Sequence, residues 1–205
     1  MSHPQNRNNP AWEPVKMKSE YEKRRKEMLL GLILAVGFLL LLSCARELQG
    51  RPFTTADLLV GSSEMPQGWR IASMSNEANA YIGETAIEAA AITFSTANHE
   101  RGMATQRVAR FRSVNEARRI YGRYFSTPLG RTPSNWGYEN AMADQASIGC
   151  YDYEGRNLPV CEWAGQYEEY VVSFIVWLVP GSVSLEDVEN VVRTIDARMI
   201  QYLVP

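Results

Sequence analysis

Residues 168–179, EEYVVSFIVWLV, decide how the rest of the chain is read. After two glutamates come ten residues that are apolar at odd and even positions alike, interrupted only by the hydroxyl of Ser173. A strand with that pattern buries both faces and belongs at the centre of a covered sheet. Pro180 and Gly181 end it, and Ser184 then caps a helix over 185–203. Leu185, Val188, Val191, Val192, Ile195, Met199 and Leu203 recur along that helix at helical spacing, so it should lie on the sheet.

Upstream, residues 145–153 and 158–165 read as two more strands around the segment GCYDYEGRNLPVC, 149–161. With Gly155-Arg156 at the turn, residues whose numbers sum to 311 oppose each other, and Cys150 with Cys161 is such a pair. Directly opposed cysteines at a non-hydrogen-bonded pair are close enough to bridge, given an oxidising compartment. The other reading is two reduced, buried thiols. Pro159 cannot donate to a ladder and introduces the prospect of a bulge.

Further back, 87–95 and 105–112 read as strands, the second with one polar, basic face. Ser113 and Glu116 form a capping box that opens a helix to about residue 125, with Ala117, Ile120, Tyr121, Tyr124 and Phe125 inward. Thr54 or Thr55 caps a short helix over 56–60, Pro66 and Gly68 set a turn, and Trp69 starts a strand through residue 72. Residues 73–85 signal little. Residues 126–143, holding Pro128, Gly130, Pro133 and Gly137, form a long loop of the kind that often binds. The expected fold class is α+β: a five- to six-stranded, mostly antiparallel sheet packed by a mid-chain helix and a C-terminal helix. DLLVGSSEMPQGW, 57–69, followed by strands, a capped helix, a paired-cysteine hairpin and a terminal helix, resembles the small extracytoplasmic domains of bacterial lipoproteins and sensor-kinase ectodomains. The order of elements is also similar to the PsbP and Mog1 fold. The resemblance implies binding or scaffolding rather than catalysis.

The N-terminal fifth has a different character. Residues 28–45, MLLGLILAVGFLLLLSCA, are eighteen residues without a charge. As a helix they reach about 27 Å, enough for a hydrocarbon core and long for the apolar part of a signal peptide. All four lysines precede this run, and six basic residues fall in the twelve positions before it. Positive charge stays cytoplasmic, so the N-terminus is inside and the large domain outside, in the periplasm or at the cell surface. A second reading starts from LLSC, 41–44, which resembles a lipobox: cleavage before Cys44 followed by its lipidation. The organisation is then a tail over 1–27 that is mostly disordered alone, a transmembrane helix over 28–45 or a signal peptide ending before Cys44, a linker over 46–53, and a domain over 54–205.

Little in the chain signals chemistry. The two histidines are His3 in the tail and His99 in a predicted loop, and there is no Walker loop, GxSxG elbow or haem-attachment motif. Neither an enzyme nor a cofactor is expected. Charge is sharply ordered instead: eight arginines lie within 101–131 against Glu116 alone, and seven acids within 139–170 against Arg156 alone. Either Arg118, Arg119 and Arg123 help form a basic surface for lipid headgroups, an anionic ligand or an acidic partner, or neighbouring strands neutralise one another. Residues 46–205 carry fourteen arginines and nineteen acids, a net −5 that disfavours nucleic acid. Trp136 and Tyr138, in the long loop, are the candidate aromatic contacts with a partner. The expected partners are the lipid bilayer and subunits of a membrane protein complex, with the chain as an accessory or scaffolding subunit. The alternative is a lipoprotein with a small-ligand-binding or sensor-like ectodomain.

Overall fold

The apolar run becomes strand β6, Tyr170–Trp177, and the sheet is built around it. The other strands are β1 (Trp69–Ser75), β2 (Glu88–Thr96), β3 (His99–Arg110), β4 (Gln145–Asp152) and β5 (Pro159–Tyr167). They lie in the order β1-β2-β3-β6-β5-β4, every neighbouring pair antiparallel. Among the described residues of 51–203, two α-helices complete the α+β fold, α1 (Val114–Tyr124) and α2 (Leu185–Leu203). This computed structural model describes residues 28–29, 51–76, 86–96, 99–127, 130–139, 142–153 and 158–203.

The chain divides into two units, Met1–Gln49 and Gly50–Pro205. Of the first, Met28 and Leu29 are described, in helical conformation. The tail over 1–27, the rest of the apolar run, Cys44 and residues 46–50 lie outside the described residues. Among the described residues no helix is long and apolar enough to cross a membrane.

One face of the sheet carries the larger core. Val172, Phe174 and Val176 of β6 and Trp163 of β5 pack against Val188, Val191, Val192, Ile195 and Met199 of α2, all essentially solvent-free. Each such side chain stabilises the fold by about 1.5–3 kcal/mol relative to exposure. The opposite face carries α1, whose Ala117, Ile120 and Tyr121 cover Ala109, Ala164 and Val171. An eleven-residue helix is only about 16 Å long, too short to cover twelve-residue β3 from end to end. Ile175 and Trp177, further along β6 on the α1 face, are therefore half-exposed, and the central strand is covered on both sides only over its first half.

Several local expectations change. β3 begins at His99 rather than at residue 105, so His99 is a strand residue opposite Thr96 and not a loop residue. Long antiparallel pairing with β2 carries the polar start of β3 along, against its weak propensity. β1 likewise runs three residues further than expected, with a register shift between Ile71 and Ser73. Thr54 is the N-cap of the short helical turn Thr55–Leu58, where its amide and its hydroxyl each donate to Asp57 Oδ2 at 2.8 Å. At α1, Ser113 accepts from the Glu116 amide as expected, but the Glu116 carboxylate reaches back to the amide of Arg112 at 3.2 Å. Tyr124, expected inward, is 38% exposed because α1 ends beside it.

The turn over 55–58 is pinned by a buried side chain. Gln106 of β3 accepts from the Val60 amide at 2.8 Å and donates to the Leu58 carbonyl at 3.1 Å, satisfying both ends of an amide with no solvent contact. Arg51 and Phe53, inside the expected linker, are already part of the folded unit. Arg51 pairs with Glu168 and with Glu169, and Phe53 packs between the rings of Tyr170 and Tyr202 at 6.1 and 5.1 Å.

Candidate functional site: a cleft at the edge of β4

β4 is an edge strand, and Arg131, in the described part of the loop over 130–139, bridges to it at Cys150. The loop reaches the strand through Gly130, whose φ of +89° suits glycine. A Cβ at that position would stand 2.1 Å from the Cys150 carbonyl oxygen, so only glycine permits the approach. Arg131 then exchanges two backbone hydrogen bonds with Cys150, each 2.9 Å.

That exchange explains the disulfide. Because Cys150 spends its amide and carbonyl outward on Arg131, it faces Cys161 as a non-hydrogen-bonded pair, the closer of the two antiparallel arrangements. Their Cα atoms are 4.1 Å apart and the sulfurs are bonded at 2.00 Å. The register sums to 311 from Gln145 opposite Gln166 to Asp152 opposite Pro159, without a bulge. Pro159 is harmless because it opens β5, and its carbonyl accepts from the Leu178 amide at 2.8 Å.

Beyond Arg131 the loop crosses to α2 and is tied there. The indole N–H of Trp136 donates to the Tyr138 carbonyl at 2.8 Å, and the Gly137 amide donates to Glu189 at 3.2 Å. Glu189 also accepts from Arg193, and these two contacts hold its carboxyl below the usual carboxylate range. The Arg193 guanidinium lies 4.4 Å from the centre of the Tyr138 ring. The Tyr138 hydroxyl donates to Asp196, which also accepts from the Tyr167 hydroxyl at 2.7 Å. Asp196 is 1% exposed, and it joins loop, strand and helix in one hydrogen-bonded node.

Between loop and sheet edge is a cleft of about 580 Å³. Its apolar wall is Trp136, Tyr138, Ile148 and Trp163; its polar groups are the Glu139 carboxylate and the hydroxyls of Ser126, Thr132 and Ser147. Ser147 Oγ already donates to the Phe125 carbonyl at 2.8 Å. Aromatic walls with a few placed polar groups, in a cavity of several hundred Å³, suit a small organic ligand or one segment of a partner. The hollow between α2 and the β5–β6 turn is smaller, about 170 Å³, because the remainder of the helix–sheet interface is filled core.

The expected aromatic contacts, Trp136 and Tyr138, thus meet in one cleft, each half-buried against the core. The arginines are elsewhere. Arg118, Arg119 and Arg123 lie on the solvent face of α1, where Arg119 approaches Glu116 at 3.7 Å. Within the sheet the charge order partly cancels, since Arg110 pairs with Glu169 at 3.4 Å. Burial pushes the Glu162 carboxyl up, and Arg107 opposes that shift. Burial also pushes the Tyr170 hydroxyl up to about 12, against Arg110 beside it. Asp196, Gln106 and Gln166 were not singled out by sequence reasoning, although an acid inside the apolar stripe of α2 was a readable signal.

No protein-family model matches the chain, and no curated protein matches it. Among solved structures, the extracellular domain of PknH from Mycobacterium tuberculosis is similar, with a TM-score of 0.46 and 11% sequence identity, over 72% of this chain and 93% of that one.

Proposed function

We propose that this chain is a non-catalytic, membrane-anchored extracytoplasmic protein whose folded unit binds a small ligand or a partner segment in the β4-edge cleft. The observation that carries the reading is the construction of the cleft. A long loop that costs entropy to order is held at both ends, by Gly130 and Arg131 on β4 and by Glu189 and Asp196 on α2. Such anchoring leaves the cavity preformed, which lowers the ordering cost of binding. The cleft lining combines the Glu139 carboxylate with hydroxyls and aromatic rings, groups suited to holding a ligand. The Cys150–Cys161 disulfide supports an extracytoplasmic location, and the uncharged run over 28–45 behind its basic flank supports the anchor.

The test is a fragment screen of small aromatic and carbohydrate compounds against the full chain in detergent, followed by NMR. Hits should perturb Trp136, Tyr138 and Trp163 together and lose most of their affinity in Trp136→Ala. Perturbations scattered over the surface, or unchanged in that variant, would reject the cleft. Intact mass of native membrane material addresses the anchor: residues 1–27 retained support the helix, and a chain starting at an acylated Cys44 supports the lipoprotein form. Stoichiometric co-purification of other membrane proteins would favour the accessory-subunit role over a stand-alone binding domain.

A further inference from the structure

The cleft leaves the basic face of α1 unexplained. Arg118, Arg119 and Arg123 are all exposed there, beside Asn115 and Gly122, with Val114 and Tyr124 exposed at the two ends of the helix. The acid of α1, Glu116, is half-buried and already engaged by the Arg112 amide and by Arg119. This surface is basic within a unit of net charge −5, so bulk attraction to anions does not account for it.

Its position in the chain suggests what it meets. The Phe111 amide, just before α1, donates to the Glu169 carbonyl at 2.8 Å, and the Glu169 side chain pairs with Arg51 at 3.0 Å. The start of α1 and the entry of the chain into the folded unit therefore share one residue. From Ala45, the end of the uncharged run, to Arg51 are six Cα steps, a reach of at most about 21 Å. We infer that the Arg118–Arg119–Arg123 face of α1 docks on anionic lipid headgroups of the outer leaflet. The inference rests on the membrane-anchored reading.

Two physical points favour lipid over an acidic protein. A spacer of six residues keeps the folded unit tethered to its anchor, and tethering raises the effective concentration of an anionic lipid surface without any new contact. Arginine forks match phosphate oxygens, and an exposed tyrosine suits the headgroup layer. Each arginine near an anionic surface adds roughly five-fold in affinity.

The experiment uses the full chain in lipid nanodiscs of phosphatidylcholine alone and of phosphatidylcholine with one third phosphatidylglycerol. Arginine modification by phenylglyoxal is read residue by residue by mass spectrometry, with exposed Arg70 on β1 as the internal reference. Relative to Arg70, modification of Arg118, Arg119 and Arg123 should slow about three-fold or more in the anionic discs only, and recover in high salt. Equal rates in the two lipids overturn the inference and leave an acidic protein as the partner. A chain that does not enter the discs at all refutes the membrane anchor, and the lipid face with it.

Discussion

Glu168 stands at φ 48°, a conformation that favours glycine, in the two-residue turn between β5 and β6. It stays there because its neighbours hold both of its peptide groups. Its amide donates to Asp144 Oδ2 at 2.9 Å, and its carbonyl accepts from buried Gln166 Nε2 at 2.6 Å. Single residues have similar leverage at the cleft. Gly130→Ala would place a methyl 2.1 Å from a carbonyl oxygen at a φ that L-residues avoid. The variant should lose about 1–3 kcal/mol in urea unfolding, and its tryptophan emission should shift to the red as Trp136 is released. The paired Cys150→Ser, Cys161→Ser variant should lose about 2–3 kcal/mol because the unfolded chain regains the freedom of a closed loop of a dozen residues. Wild-type protein unfolded with a thiol reductant should match that variant; two coincident wild-type curves with and without reductant would contradict the cross-link's role.

Among the elements, α2 was the most legible before folding. Its expected and observed limits coincide at 185 and 203, and six of the seven expected apolar positions are buried. The cap explains the sharp start: the Asp187 amide donates to Ser184 Oγ at 3.1 Å, while the Asp187 carboxylate accepts from the Ser184 amide at 2.8 Å. Ser184→Ala should therefore cost about 1 kcal/mol, read as a lowered denaturation midpoint with the slope unchanged. β3 was the least legible. Its start, HERGMA, has neither period nor β-branched residues, and its pairing with β2 lies in contacts between strands rather than within one. The cleft was half legible: the loop and its two aromatics were readable, but the backbone exchange that seats it on β4 was not.

For the whole folded unit, acid stability depends on a few carboxylates. Burial alone would push the Glu169 carboxyl up, but Arg51 and Arg110 hold it below its ordinary value. Burial acts likewise on Glu64, and Arg198 with the Gly61 amide outweighs it. A folded-state pKa below the unfolded one means that the unfolded chain binds protons more readily. The contribution is present above the unfolded value, about 4.3 for a glutamate, and is lost as pH falls through the folded value. Urea midpoints should hold between pH 7 and 5 and fall below about pH 4.5. Arg51→Gln should lower the neutral midpoint and flatten that acid limb, and an unchanged limb would remove Arg51 from the account. Asp57, which the Thr54 amide and hydroxyl hold below its ordinary value, is fully exposed, and no comparable share of the acid limb is expected from it.

By itself the sequence determined the class of fold, the two helices, the central strand and the cysteine register, because each follows from a period of two or 3.6 residues or from symmetry about a turn. Those are local properties of a chain, set by bond geometry and the burial of apolar side chains. The tertiary structure alone decided that β6 lies between β3 and β5, that Gln106 and Asp196 are buried yet satisfied, and that Trp136 and Tyr138 wall a cleft on the β4 edge. These depend on contacts between residues tens of positions apart, where the partner that satisfies a polar group or covers an edge cannot be read from its neighbours in sequence.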